Sequence, residues 1–212
     1  MTTKAVYKKL SELESIHIRQ AVEIYVATFY DALSFISKDF NKIADVLQTV
    51  FNPKNHFVVL HQENVVSVIS FSDYKSNSLT IDKAKIISIL GEVKGRVSVV
   101  KLNKALKDLT PLREGQCYIE TVVTDSAYRG MGFSFDLQRH LFRTLNYKEY
   151  FLEVSELNFK AIRMYEKLGF AIIQQKKERS FWKPLNKDSK VIMSKKVVND
   201  KKLPQESLKI DL

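Results

Sequence analysis

Hydrophobic residues in the first fifty positions recur every three or four residues, as they do along one face of a helix. Such sets run from Ile18 to Phe29 and from Ile43 to Val50. This spacing predicts two amphipathic helices, and an apolar run at residues 6–10 predicts a short strand before them. Two helices are therefore expected ahead of the first pair of strands.

The pattern changes to β-branched runs in the segment HFVVLHQENVVSVISF, residues 56–71. A polar Gln-Glu-Asn turn at residues 62–64 separates two such runs, which predicts an antiparallel hairpin. Residues 73–115 are less regular, with helical spacing on both sides of Gly91 and Gly95. Because glycine interrupts helices, we expect two helices there, with a break from Gly91 to Gly95.

Strand and helix patterns alternate through the second half of the chain. The expected strands cover residues 117–124, 150–154, 170–178 and 190–198, and the expected helices cover residues 133–145 and 158–168. Gly169 follows the second of these helices, where a left-handed residue commonly ends a helix. The order predicts one α/β (α+β) domain over residues 1–198. Residues 199–212 are expected to form a flexible tail at the end of a basic C-terminal region.

Composition narrows the classes of protein to which the chain can belong. With 45 % hydrophobic and 27 % charged residues, it has the balance of a soluble folded protein. Cys117 is the only cysteine, and the four histidines lack H-E-x-x-H spacing, so neither a disulfide nor a metal site is expected. No run reaches the ~18 apolar residues that a membrane span needs, which favours a cytoplasmic protein without membrane contact.

The formal net charge of +10 suggests anionic partners, but the charge is unevenly distributed. Residues 171–212 contain 11 Lys and Arg against 5 Asp and Glu, so most of the excess lies near the C-terminus. No zinc-finger, RNA-recognition or basic-zipper signature accompanies this region. A solvated basic region is therefore favoured over a nucleic-acid surface.

Two of the six glycines, Gly130 and Gly132, stand beside Arg129 in the stretch VVTDSAYRGMGFS, between a predicted strand and a predicted helix. Glycine permits positive φ and close approach to a ligand. The start of a helix offers unpaired N–H groups and a partial positive charge. The stretch is therefore a candidate phosphate-binding loop.

Three familiar patterns fail at this loop. A Walker loop requires Gly-Lys, and that pair is absent from the chain. A dinucleotide-binding loop requires a third glycine where Phe135 stands, and a hydrolase elbow requires a glycine where Asp136 stands. The remaining candidate motif is Arg-x-x-Gly-x-Ser, located between a predicted strand and a predicted helix.

A second group of residues lies about thirty positions further along. Asn158, Ala161 and Tyr165 fall at i, i+3 and i+7, so their side chains share one face of a helix. That face carries an amide and a phenol beside apolar contacts. Asn158 is also a good helix N-cap, and Tyr165 could simply belong to the buried stripe of the helix.

Together, these two stretches resemble the GNAT family of acetyl-CoA-dependent N-acetyltransferases, over residues 116–172. The family pattern Arg/Gln-x-x-Gly-x-Gly/Ala is similar to Arg129, Gly132 and Ser134, although Ser134 replaces the usual small residue. The pattern Asn-x-x-Ala-x-x-x-Tyr-x-x-x-Gly-Phe matches residues 158–170. The resemblance implies a central mixed, mostly antiparallel sheet that splays into a V between its two central strands, with helices on its faces.

The resemblance also implies which residues bind acetyl-CoA as cosubstrate. Backbone groups of Val122 and Val123 are expected to contact the pantetheine arm. The pyrophosphate is expected to bind the N–H groups of Arg129, Gly130, Met131, Gly132, Phe133 and Ser134. The helix face beside the arm is expected to carry Asn158, Ala161 and Tyr165. Tyr165 is expected to protonate the departing thiolate.

The general base is left between two carboxylates. Glu120 shares side-chain parity with Val122 on the expected strand, and Glu153 lies on the neighbouring strand. Each of the two could instead be a strand carboxylate with no catalytic role. Arg129 could likewise be a solvent-facing cation with no phosphate partner.

The leading hypothesis is therefore an N-acetyltransferase for a primary amine of a small molecule, peptide or protein. Two alternatives stay open. One is a non-catalytic regulatory module that binds acetyl-CoA or CoA, and the other is a nucleic-acid-binding protein that acts through its basic C-terminal region. Retention of Tyr165 favours the enzyme, because a regulatory module needs no general acid. Dimerisation through the late strands is left open.

Overall fold

A mixed seven-stranded β-sheet organises the structure, in the order β1-β2-β3-β4-β5-β7-β6. The computed structural model describes residues 5–107, 112–176 and 189–197, so the predicted tail at 199–212 lies outside the described residues. The strands are β1 (Val6–Lys9), β2 (His56–His61), β3 (Asn64–Asp73), β4 (Gln116–Thr124), β5 (Glu149–Ser155), β6 (Ala171–Lys176) and β7 (Lys190–Lys196). All neighbouring strands pair antiparallel except β4 and β5, which are parallel.

Helices lie on both faces of this sheet, as the hydrophobic spacing predicts. They are α1 (Ser15–Leu33), α2 (Phe40–Val50), α3 (Lys83–Leu90), α4 (Glu92–Lys107), α5 (Phe133–Thr144) and α6 (Phe159–Lys167). One apolar core joins α1 to α4 with one face of β2, β3 and β4. A second joins α5 and α6 with the other face and with β5 and β7. The α/β fold with a mixed sheet is thus confirmed.

The expected break from Gly91 to Gly95 is wrong in its extent. The chain turns at Gly91 alone, and α4 begins at the next residue, with Gly95 inside its first turns. A Cβ at Gly95 would lie 2.7 Å from the Cα of Ile87 in α3. Gly95 is therefore present to let two consecutive helices approach each other, and it does not interrupt the helix.

The sheet opens between its two central strands. The parallel ladder of β4 and β5 runs only from Gln116↔Glu149 to Ile119↔Leu152. Beyond it, β4 continues to pair with β3 and β5 continues to pair with β7. The predicted splay therefore begins just after Ile119 and Leu152, and we call this opening the central gap. No helix among the described residues is long and apolar enough to cross a bilayer.

Candidate active site

The loop that follows β4 adopts a conformation that glycine favours at two positions. Gly130 has a φ of +82° and Gly132, the residue before α5, a φ of +85°. No atom lies within 4 Å of the place where a Cβ would stand on either residue. The requirement is therefore the left-handed backbone itself, which residues with a side chain adopt at a cost.

The same loop presents a row of unused donors. From Arg129 to Ser134, the backbone N–H groups donate to no acceptor in the part of the chain that the structure describes. Those of Phe133 and Ser134 open α5, where the helix dipole is positive. The Arg129 side chain folds back, and its Nε donates to the Thr124 carbonyl at 3.2 Å. This row can bind a phosphate anion through backbone groups.

The side chains of the loop secure it against the body of the protein. Phe133 is buried, and its ring lies 5.6 Å from His61 and 6.3 Å from Tyr128, measured between centroids. Met131 is 58 % exposed. The Phe133 ring thus secures the end of the loop, while the Met131 side chain stays exposed.

On β4, the two valines predicted to meet the pantetheine arm differ in direction. Val123 has its side chain in the core beneath α1, and its carbonyl accepts a hydrogen bond from the Ser67 Oγ of β3 at 3.0 Å. Backbone groups alternate between the two edges of an antiparallel strand. The backbone of Val122 therefore points to the opposite edge, toward the central gap, while its side chain packs on the core of α5 and α6.

A β-bulge at Glu120 corrects the expected parity of β4. Thr121 pairs with Ser70 and Ile119 pairs with Phe71, which leaves Glu120 as the extra residue. A bulge of this kind reverses the alternation of side chains beyond it. Glu120 therefore lies on the α1 face of the sheet, whereas Val122 lies on the α5 face. The expectation that the two share one face is wrong, because strict alternation does not survive the bulge.

The half-buried Glu120 carboxylate is held by two serine hydroxyls. The Oγ of Ser72 donates to its Oε1, and the Oγ of Ser78 donates to its Oε2. Both serines are 1 % exposed. Its electrostatic neighbours include Tyr25 of α1, where burial first and the Glu120 charge second raise the pKa of the phenol to about 12. Glu120 is thus held by two hydroxyl hydrogen bonds near the start of the central gap.

Glu153, the other candidate base, is in a different environment. It lies on β5 one residue beyond the parallel ladder, and its Oε1 accepts from the Lys176 Nζ at 3.0 Å. Lys190 Nζ lies 3.9 Å from its Oε2. The Glu153 carboxylate is thus engaged by ammonium groups, whereas that of Glu120 is held by serine hydroxyls.

The aromatic ring of Tyr165 is buried in the core of α5 and α6, beside Phe170 at a centroid distance of 5.8 Å. Burial raises the pKa of Tyr165 to about 12. Its hydroxyl has no hydrogen-bond partner among the described residues. The phenol therefore stays protonated at neutral pH and is available to donate.

Asn158 caps the helix that carries Tyr165. Its Oδ1 accepts from the backbone N–H of Ala161 at 3.2 Å, so the capping role anticipated from the sequence is confirmed. Asn158 is exposed, which leaves its amide N–H groups accessible. Ala161 is half-buried and packs on the second core. The expected i, i+3, i+7 face is therefore present on α6.

Sequence reasoning missed Gln138, which lies behind the phosphate loop. It is fully buried, and its Nε2 donates to the Ser134 carbonyl at 3.1 Å and approaches the Met164 Sδ at 3.8 Å. Its Oε1 is buried and has no hydrogen-bond partner in the part of the chain that the structure describes. The only available signal was a polar residue next to Leu137 on the apolar stripe of α5. Gln138 joins α5 to α6 beneath the candidate site.

A cavity of about 270 Å³ opens beside the central gap on the face that carries Glu120. Its lining contains two rings, two charged side chains and two isoleucines: Tyr118 and Phe151, Arg113 and Glu153, and Ile173 and Ile192. It is large enough for a small amine or the end of a peptide. Within the described ranges, no cluster of three or more His, Cys, Asp or Glu side chains could hold a metal ion.

Comparisons with known proteins agree with this geometry. The sequence profile of the acetyltransferase (GNAT) family matches residues 18–170. No curated protein sequence matches the chain significantly. Similar solved structures include an N-acetyltransferase from Staphylococcus aureus Mu50, with a TM-score of 0.58, 16% identity, and 89% of this chain and 99% of that chain covered.

Two further structures extend the comparison. The ribosomal-protein-S18-alanine N-acetyltransferase from Escherichia coli has a TM-score of 0.51 and 12% identity, with 94% of this chain and 99% of that chain covered. A chain of the NatC complex bound to Gag peptide and CoA has a TM-score of 0.52 and 15% identity, with 92% and 99% covered. At these identities the structural likeness establishes a shared fold.

Proposed function

Because the chain belongs to the acetyltransferase (GNAT) family, it is an acyltransferase, and we propose that it moves an acetyl group from acetyl-CoA to a primary amine. The acceptor is a small molecule or an amine of a peptide or protein, and it attacks the thioester directly. The observation that carries this proposal is the central gap, with the unused N–H groups of the β4–α5 loop at its open end.

The residues around the gap fit coenzyme A. The row of N–H groups from Arg129 to Ser134 would bind the pyrophosphate, where a row of donors meets the positive end of α5. The backbone of Val122 would bind the pantetheine arm, and the α6 face of Asn158 and Ala161 would flank it. The backbone of Val123 faces β3 and not the gap, so the prediction that it also contacts the arm is wrong. Acetyl-CoA, when bound, supplies the acetyl group as an activated thioester.

Two side chains would move the protons of the reaction. Glu120 removes a proton from the acceptor amine, directly or through water, and so maintains a neutral nucleophile. Tyr165 donates its phenolic proton to the leaving sulfur. Positioned groups of this kind typically contribute about 10²- to 10⁴-fold each to the rate. A β4 backbone N–H near Val122 would polarise the carbonyl.

The acceptor would approach from the face opposite to α5. The cavity lined by Tyr118, Phe151 and Glu153 lies on that face, next to the start of the gap. Its rings and aliphatic surface suit an acceptor with an apolar body, and Arg113 and Glu153 place one charge of each sign in the lining.

A thermal-shift titration with acetyl-CoA tests cofactor binding. Ligand at about 100 times its dissociation constant should add about 2.7 kcal/mol to the free energy of unfolding. ATP serves as the control, because it separates CoA recognition from general anion binding to a basic protein. No stabilisation at millimolar acetyl-CoA would overturn the proposal.

A thiol-release assay with a panel of amines tests turnover. Release that depends on an added amine supports acetyl transfer. Stabilisation by acetyl-CoA without release for any amine would instead favour the non-catalytic CoA-binding module. Substitution of Glu120 by Gln should then lower kcat, with Arg96→Gln, in an exposed ion pair on α4, as the matched control.

A further inference from the structure

The segment between β3 and α3, residues 74–82, carries no recognisable motif, yet it is closely tied to its surroundings. The Asn52 N–H donates to the Ser78 carbonyl at 2.8 Å, and the Thr80 N–H donates to the Val50 carbonyl at 2.7 Å. Leu79 forms an isolated β-bridge with Phe51. The segment is therefore fixed against the end of α2, on the face that carries Glu120.

This anchoring delivers one hydroxyl to Glu120. Ser78 Oγ donates to one carboxylate oxygen, while its backbone N–H donates at 2.9 Å to the Ser72 Oγ. Ser72 Oγ in turn donates to the other carboxylate oxygen. Each oxygen has a lone pair left over, so the carboxylate keeps the capacity to accept a further proton. Ser72, Ser78 and Glu120 form one buried chain of hydrogen bonds, which we call the serine clamp.

We infer that Ser72 and Ser78 are positioning residues for the general base, holding the Glu120 carboxylate in one orientation toward the acceptor. This inference rests on the proposed function, since it assigns Glu120 the role of base. Hydroxyl donors stabilise the charged form of a carboxylate, and burial alone would oppose it. The bulge directs Glu120 to this face, and the clamp fixes it there.

Three titratable groups among the described residues lie close enough to Glu120 to be affected by its charge. They are Tyr25 from α1 and Tyr118 and Cys117 from β4. Burial is the first cause that raises the pKa of each above its ordinary value, and the Glu120 charge contributes to each. All three are neutral at pH 7. Two further carboxylates lie near these groups, Asp73 beside Cys117 and Glu153 beside Tyr118. The two serines are the neighbours that donate hydrogen bonds to the Glu120 carboxylate.

The test compares Ser78→Ala with Ser70→Ala. Ser70 is buried like Ser78 and lies on β3, on the same face as Ser72. Its Oγ forms a hydrogen bond with the Thr121 Oγ1 at 2.6 Å and not with Glu120. We expect Ser78→Ala to move the acid limb of the kcat/KM–pH profile to higher pH by about one unit, because a carboxylate that loses a donor is more easily protonated. Ser70→Ala should leave that limb in place.

Two further measurements exclude a merely structural effect. In a Glu120→Gln background, Ser78→Ala should produce no additional loss of kcat/KM, because the group it positions is gone. Titration of the Glu120 carboxyl carbon by ¹³C NMR reads the same effect without turnover, and Ser72→Ala should shift it in the same direction. Thermal melts establish that each variant is folded.

The inference and the proposed function fail in different ways. An acid limb that stays in place in Ser78→Ala, or moves equally in Ser70→Ala, or an unshifted NMR titration, overturns the serine clamp. A wild-type pH profile in Glu120→Gln overturns the assignment of the base instead. Absence of amine-dependent thiol release in the unmodified protein contradicts the transferase proposal, while the NMR titration still decides on the clamp.

Discussion

At the scale of single residues, Tyr165 combines a buried ring with a phenol that lacks a partner in the described part of the chain. A buried tyrosine usually places its hydroxyl against an acceptor. Tyr150, in the same core, does so, since its hydroxyl donates to the Leu145 carbonyl at 2.8 Å. The contrast between these two tyrosines supports a function for Tyr165 beyond packing.

Substitution of Tyr165 by Phe should lower kcat about 10²-fold or more while changing the KM for acetyl-CoA little, because the hydroxyl acts on the leaving sulfur. Since the pKa of Tyr165 is raised to about 12, this group should not limit the rate on the alkaline side below that pH. Steady-state kinetics from pH 6 to 10 measure both effects.

Tyr150→Phe is the matched control for Tyr165→Phe. It removes a buried hydroxyl from the same core and should cost about 1 kcal/mol of stability without changing kcat. An unchanged kcat in Tyr165→Phe, with single-turnover kinetics excluding slow product release, would remove Tyr165 from the chemistry.

The two sides of the candidate site differ in how far their residues could be predicted. The loop with Gly130 and Gly132 and the helix with Tyr165 carry residue types at fixed spacings, so their resemblance to a family pattern could link them. Ser72 and Ser78 have no such spacing relative to Glu120, because their contact depends on a bulge and a long-range loop anchor. Neither feature has a local sequence signal.

At the scale of elements, hydrophobic periodicity predicted the helices and strands well where one face is buried. It was wrong about Gly95, which helix propensity marks as a break. Glycine is required at position 95 because the backbone there lies close to Ile87 of α3. A contact between two helices cannot be predicted from the spacing of residues within one of them. Periodicity was also wrong about the parity of β4, since a single inserted residue at Glu120 reverses every side chain beyond it.

Gly95→Ala provides a test at this scale. Helix propensity predicts a gain of about 1 kcal/mol, whereas a Cβ at 2.7 Å from the Ile87 backbone predicts overpacking, with a loss of about 1–3 kcal/mol. We expect a net loss in urea unfolding, because the α3 backbone cannot move aside cheaply. Val93→Ala, at an exposed position of the same helix, should be nearly neutral. A stabilised Gly95→Ala protein would show that the two helices can separate.

At the scale of the whole molecule, the pH dependence of stability should reflect His56. Its imidazole is fully buried, and its Nε2 has no hydrogen-bond partner among the residues described. Burial lowers the pKa of His56 to about 4, despite the hydrogen bond of Nδ1 to the Asn52 carbonyl. The unfolded chain therefore binds a proton between about pH 6.5 and 4 that the folded protein does not. Stability must fall as pH decreases through this window.

From pH 7 to pH 5, His56 should account for a loss on the order of 2 kcal/mol in the free energy of unfolding. Chemical denaturation at the two pH values measures the loss in the unmodified protein and in His56→Gln, which cannot titrate there. If His56→Gln lost as much free energy of unfolding between pH 7 and pH 5 as the unmodified protein, groups other than His56 would be responsible.

The short parallel ladder between β4 and β5 has a consequence for dynamics. Only four residue pairs join the β1–β4 part of the sheet to the β5–β7–β6 part, so the β4 amides that face the central gap lack the protection of a neighbouring strand. Their hydrogens should exchange rapidly with deuterium in the free protein. A pantetheine arm in the gap would form hydrogen bonds with the edge of β4, as a neighbouring strand would, and would slow this exchange. It would also connect the two parts of the sheet mechanically.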